Sequence, residues 1–120
     1  MLGHMTAIPS CIAVAQQFGD LIAKEEYSAA HALLTSEAQK ISSPGDFKKA
    51  VVGMTSYAPG PIQEVVVMDE ILEDWPAKQD SDVASIYVAL NGDGFCEAAY
   101  LTIARQEKDF RIRDIEWGRP

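Results

Sequence analysis

Residues Val83 to Gly118 read as an unbroken antiparallel meander, and this confines the chain more than any other feature. Val83–Leu90, the turn Asn91-Gly92-Asp93-Gly94, Phe95–Arg105 and the closing run Phe110–Gly118 are consecutive strands joined by short polar turns. A sheet of this kind has two faces, and each apolar face has to be covered. Upstream, Ile62 to Leu72 is rich in β-branched residues and reads as the first strand, terminated by Glu73-Asp-Trp-Pro76 and the polar Lys78 to Asp82 loop.

Neither face of Val83–Leu90 is charged, and both faces of the central strands look covered. Ala84, Ile86, Val88 and Leu90 alternate with Val83, Ser85, Tyr87 and Ala89, while Phe95, Ala99, Leu101 and Ile103 alternate with Cys96, Ala98, Tyr100, Thr102 and Ala104. One face is expected to meet helices. The other, made of Tyr, Ala, Ser and Thr, is expected to meet a homodimer partner or another protein. The last strand breaks its own alternation, because Phe110 and Ile112 share one parity and Ile115 and Trp117 the other. Either a bulge near Arg113-Asp114 shifts the register or both faces bury apolar groups.

Three helical segments precede the sheet. The first starts near Pro9 or Ser10 and carries Cys11, Val14, Ala15, Phe18, Leu21 and Ile22 on one stripe, with Gly19 marking a close approach by a neighbouring element. The second opens at Tyr27-Ser28 and groups Tyr27, Ala30, His31, Leu33 and Leu34, with Glu37 and Lys40 outward. Ser43-Pro44-Gly45-Asp46 starts the third, with Ser43 as cap; Phe47, Ala50, Val51 and Met54 follow, and Tyr57-Ala-Pro-Gly-Pro61 stops it. The expected fold is α+β: three N-terminal helices packed on one face of a curved four-stranded antiparallel sheet, in the order α-α-α-β-β-β-β. Gly3-His4-Met5 looks like a cloning scar, so residues 1–7 are read as disordered or cloning-derived and 8–118 as one cone-like domain.

Composition narrows the function classes. A chain of 120 residues with 48% apolar and 23% charged residues suits one globular domain, and its apolar runs fall short of the roughly 20 residues of a membrane span. No Lys or Arg precedes Lys24, which argues against a secretory leader. Cys11 and Cys96 are read as reduced, buried thiols of a cytoplasmic protein, and with so few ligands no metal site or cofactor is expected. The net charge is −8, and Asp69, Glu70, Glu73, Asp74, Asp80 and Asp82 stand against Lys78 alone in one stretch. Nucleic acid and anionic membrane are therefore poor partners, whereas a basic protein is permitted. The preferred reading of this stretch is a solvated acidic loop that keeps the protein soluble.

Phe18 and Leu21 on the first helix, Tyr27-Ser-Ala-Ala30 through Leu33-Leu34 on the second, and the closing Ile112-Arg-Asp-Ile115-Glu-Trp117-Gly118 together resemble the nuclear transport factor 2-like superfamily, the cystatin-like α+β cone. The resemblance implies a cone pocket lined by Phe18, Tyr27, His31, Met54, Tyr57, Phe110 and Trp117. The superfamily includes isomerases, cyclases, dehydratases, binding modules and immunity proteins, so fold does not settle function. Two readings follow. In the first, the protein is a non-catalytic interaction or ligand-binding module, in its sharpest form an immunity-type protein whose Asp69, Glu70, Glu73 and Asp74 steer a basic partner toward a surface holding Tyr87 and Tyr100. In the second, a small isomerase, cyclase or dehydratase uses His31 or Asp114 as base and a tyrosine as proton donor. That reading requires an apolar cavity of several hundred cubic ångströms. His31 otherwise reads as a hydrogen-bonded core residue, and Asp114 as the partner of a neighbouring arginine.

Overall fold

The computed structural model describes residues 2–58 and 60–118. Its elements are α1 (Leu2–Ala23), α2 (Tyr27–His31), α3 (Ser36–Ile41), α4 (Pro44–Met54), β1 (Ile62–Val67), β2 (Asp82–Gly92), β3 (Phe95–Gln106) and β4 (Asp109–Gly118). The strands form one antiparallel meander in the order β1-β2-β3-β4, with helices on one face, as the sequence leads one to expect.

The inner face is the one built from the fully apolar parity. Ile86 lies opposite Leu101 and Val88 opposite Ala99, and these four side chains with Ala84, Leu90, Ile103 and Ile112 are wholly buried. Burial of this kind stabilises by about 25 cal/mol per Å² of apolar surface, so the sheet and its helices hold together chiefly through this layer. Cys11, Ala15, Phe18 and Ile22 supply the facing stripe of α1 at three- and four-residue spacing. Gly19 sits where a side chain would collide: a Cβ there would overlap Val65 Cγ1 and stand 3.0 Å from Val88 Cγ1, so α1 rests directly on β1 and β2.

The bulge near Arg113-Asp114 is present. Asp114 pairs with Thr102 and Ile112 with Ile103, leaving Arg113 as the extra residue. Ile112, Ile115 and Trp117 therefore all pack against the core despite their opposite parities. The Asp93-Gly94 turn closes β2 onto β3 with Gly92 opposite Phe95, and Gly94 takes a φ of +85°, which glycine adopts without strain.

Three local expectations are corrected. α1 begins before the expected Pro9 or Ser10 start, and Pro9 lies within it. The expected second helix is two short ones, because the backbone between them is committed to the sheet. The Ile112 N–H donates to the Leu33 carbonyl at 2.9 Å, and the Thr35 N–H donates to the Ile112 carbonyl at 2.8 Å. Thr35 then caps α3 through its hydroxyl, which accepts from the Ala38 N–H. Finally, β1 ends at Val67 rather than Leu72. Met68 still donates to the Tyr87 carbonyl and Leu72 exchanges two hydrogen bonds with Ser85, so Asp69-Glu70-Ile71 loop out between them. The start of α4 follows expectation, with Ser43 and Asp46 forming a reciprocal capping box. The part of the stop signal that falls on Pro59 lies outside the described residues.

Candidate functional site: the outer face of the sheet

Two cross-strand rows organise the face turned away from the helices. Ser85, Thr102 and Asp114 lie side by side on β2, β3 and β4, and Tyr87, Tyr100 and Glu116 form the next row. Tyr87 and Tyr100 pack edge to face, with ring centroids 4.8 Å apart and planes at 76°. Burial, then Tyr100 and the Glu116 carboxylate, pushes the Tyr87 phenol above its usual range, so it stays neutral.

The looped-out acids come to this tyrosine pair. Met68, Asp69, Glu70, Leu72, Tyr87 and Tyr100 line a groove of about 520 Å³, and Met68 and Leu72 are 43% and 44% exposed. Four of the six side chains that the sequence assigns to a partner surface thus share one concavity. Glu73 and Asp74 do not line it; the Glu73 carbonyl accepts from Lys78 Nζ at 2.6 Å. A second cavity of about 200 Å³ adjoins the first through Tyr100, with Trp75 and Ala77 of the β1–β2 connection opposite Ser85, Thr102, Asp114 and Glu116. Part of the outer face is therefore covered by the chain's own loop, which the strand pattern did not reveal.

On the helix side the rings close together. Phe18, Phe47 and Trp117 stand 5.8 to 5.9 Å apart in a triangle of centroids, and Phe18 is fully buried. Of the seven residues expected to line a cone pocket, only Trp117 borders the cavity beside this triangle. It measures about 170 Å³ and includes Asp114 but no tyrosine. His31 packs against Phe47, and its Nε2 lies 2.7 Å from the Ser42 carbonyl. Tyr27 and Met54 pack at the core margin, where burial, then the Glu25 charge, pushes the Tyr27 phenol up. Phe110 lies under the Arg105 guanidinium at 4.6 Å and borders a different cavity.

Asp114 is not paired with its neighbouring arginine, contrary to the expectation from sequence. Arg113, displaced by the bulge, donates from Nε and Nη2 to the two carboxylate oxygens of Asp82 at 2.6 and 2.8 Å. Burial alone would raise Asp82. The hydrogen bonds from Arg113 and the Gln79 N–H, with the Arg113 and Lys78 charges, outweigh it and hold the carboxyl below its usual range.

Two further features escaped the sequence reading. Glu97 is 3% exposed and lies opposite Leu90 on the helix side, where its carboxylate accepts from the Tyr57 hydroxyl at 2.6 Å. Its parity with Ala99 and Leu101 was the signal available, since it places a charge on an apolar face. Cys96 is exposed, not buried; it lies opposite Asn91 beyond the end of the covered rows. Cys11 is buried, which lifts its thiol to about 11 against a small opposing effect of Arg105.

Among the described residues, no group of three or more His, Cys, Asp or Glu side chains is placed to hold a metal ion, and no helix is long and apolar enough to cross a membrane. Neither a family model, nor a curated protein, nor a solved structure matches this chain. The class that its own architecture defines is a helix-backed antiparallel meander with a closed aromatic cluster on one side and an acid-edged tyrosine groove on the other.

Proposed function

We propose that this protein is a non-catalytic binding module on the nuclear transport factor 2-like plan, which docks a basic protein partner on the outer face of its sheet, as an immunity-type protein would. The supporting observation is the groove in which Tyr87 and Tyr100 supply desolvated aromatic surface and Asp69 and Glu70 supply charge at the edge. Aromatic side chains anchor interfaces, and rim carboxylates raise association rates with cationic partners. A second copy of the chain is the less favoured occupant, because two copies meeting through this face would bring Asp69, Glu70 and Glu116 against acids.

The experiment is a pull-down with the protein as bait, followed by association kinetics against the retained partner at two salt concentrations. Wild type is expected to associate roughly tenfold or more slowly at high salt. The Asp69→Lys/Glu70→Lys variant is expected to lose most of the low-salt rate while melting at the same temperature. Unchanged binding and salt dependence in that variant would refute the reading.

A further inference from the structure

The cavity beneath Trp75 has a chemistry of its own. Ser85 and Thr102 are 3% and 9% exposed, yet among the described residues neither side chain makes a hydrogen bond, and both line this cavity. Neither oxygen is among the enclosed unpartnered atoms, so both hydroxyls open onto the cavity, where water or a ligand that brings donors or acceptors satisfies them. Asp114 and Glu116 stand at the β4 side as acceptors only. Trp75 and Tyr100 supply aromatic surface, and Trp75 already holds a cation, the Lys78 ammonium, 5.8 Å from its ring centroid. Arg113 also borders the cavity, but its guanidinium is bound to both oxygens of Asp82; Asp114 and Glu116 act on Arg113 and Tyr87 only through their charge and, among the described residues, make no hydrogen bond or ion pair.

We propose that this cavity is an arginine-binding subsite, in which a guanidinium from the partner stacks on Trp75 or Tyr100 and donates to the Ser85 and Thr102 hydroxyls and to Asp114 or Glu116. The proposal rests on the reading of the outer face as a docking surface for a basic partner. A guanidinium fits better than an ammonium. It is planar, carries five N–H donors and no acceptor, and is weakly hydrated, so it can satisfy a hydroxyl floor and a carboxylate edge while its face rests on a ring. The subsite shares Tyr100 with the 520 Å³ groove, and the acids of the two concavities lie on opposite sides of the sheet's width. The whole four-stranded sheet spans three strand spacings, about 14 Å, the length of about four residues of extended chain, and the looped-out Asp69 and Glu70 share their groove with Tyr87 and Tyr100 on the two middle strands. The partner segment is thus an extended one with two basic residues no more than about four positions apart, one of them arginine.

The test uses two synthetic peptides, acetyl-Gly-Arg-Gly-Ser-Gly-Arg-Gly-amide and its counterpart with lysine at both basic positions, titrated into the ¹⁵N-labelled full chain. The arginine peptide is expected to shift the Trp75 indole and the Ser85 and Thr102 amides, and to bind roughly fivefold or more tightly than the lysine peptide. Ser85→Ala is expected to remove most of that preference without lowering the melting temperature, since it deletes a buried hydroxyl that has no partner to lose. Asp114→Asn/Glu116→Gln is expected to do the same, whereas Asp69→Asn/Glu70→Gln should weaken both peptides alike. If the arginine preference survives Ser85→Ala and Asp114→Asn/Glu116→Gln, or if only groove residues shift, the subsite is refuted and the docking surface stands. If neither peptide shifts any outer-face resonance, both are refuted.

Discussion

Asp82 and Arg113 show how far a single contact can be set by position instead of type. Asp82 counts among the acids of a loop that reads as solvated, yet its side chain is fully buried and bound by two arginine nitrogens and a backbone N–H. Removing one partner of such a pair leaves an uncompensated charge, so Asp82→Ala is expected to lower unfolding free energy by about 3 kcal/mol in urea titrations. The pH dependence has a definite sign. The folded-state carboxyl titrates below the usual value of about 3.9, so its contribution is complete above that pH and is lost as pH falls through the depressed folded value. Asp82→Asn should therefore be less stable at neutral pH and lose less further stability on acidification, as read from urea midpoints between pH 6 and pH 3. None of this was legible in the sequence, because the pairing spans 31 positions and depends on a bulge that turns Arg113 toward the start of β2. His31, by contrast, reads correctly as a hydrogen-bonded residue at the edge of the core.

At the scale of elements, periodicity located the strands and helix stripes and failed where the backbone had competing partners. The β4 bulge was readable because Ile112 and Ile115 cannot share a face without it. The break between α2 and α3 was not, since Leu33 and Leu34 continue a helical apolar pattern while their backbone bonds to Ile112. Gly19 carried a legible signal, and it yields a sharp expectation. Alanine would gain up to about 1 kcal/mol of helix propensity but would drive a methyl into the stiff β-branched Val65, so Gly19→Ala should destabilise by about 1–3 kcal/mol net. A stabilised variant would mean that α1 does not rest on β1 as described. The aromatic triangle gives a second check: Phe18→Ala should cost about 3–5 kcal/mol by thermal or chemical unfolding, because the cavity it leaves is enclosed by Phe47 and Trp117.

For the whole molecule, the two sides of the sheet divide the work. The helix side is spent on a core whose largest side chains are fully buried. The outer side keeps exposed apolar groups, paired tyrosines and acids within one continuous surface. Sequence alone could name Asp69, Glu70, Tyr87 and Tyr100, since an uncharged strand face and an acidic segment are each visible as patterns. It could not show that a three-residue loop-out folds the acids onto the tyrosines, nor that Trp75 roofs Ser85 and Thr102. The most direct test of this division is a map of amide shifts on adding a deca-lysine peptide to the labelled protein at low salt. The account predicts changes centred on Asp69, Glu70, Tyr87 and Tyr100 that vanish at high salt. Changes centred instead on Ala38, Ile115 and Trp117 would place binding at the helix side and contradict it.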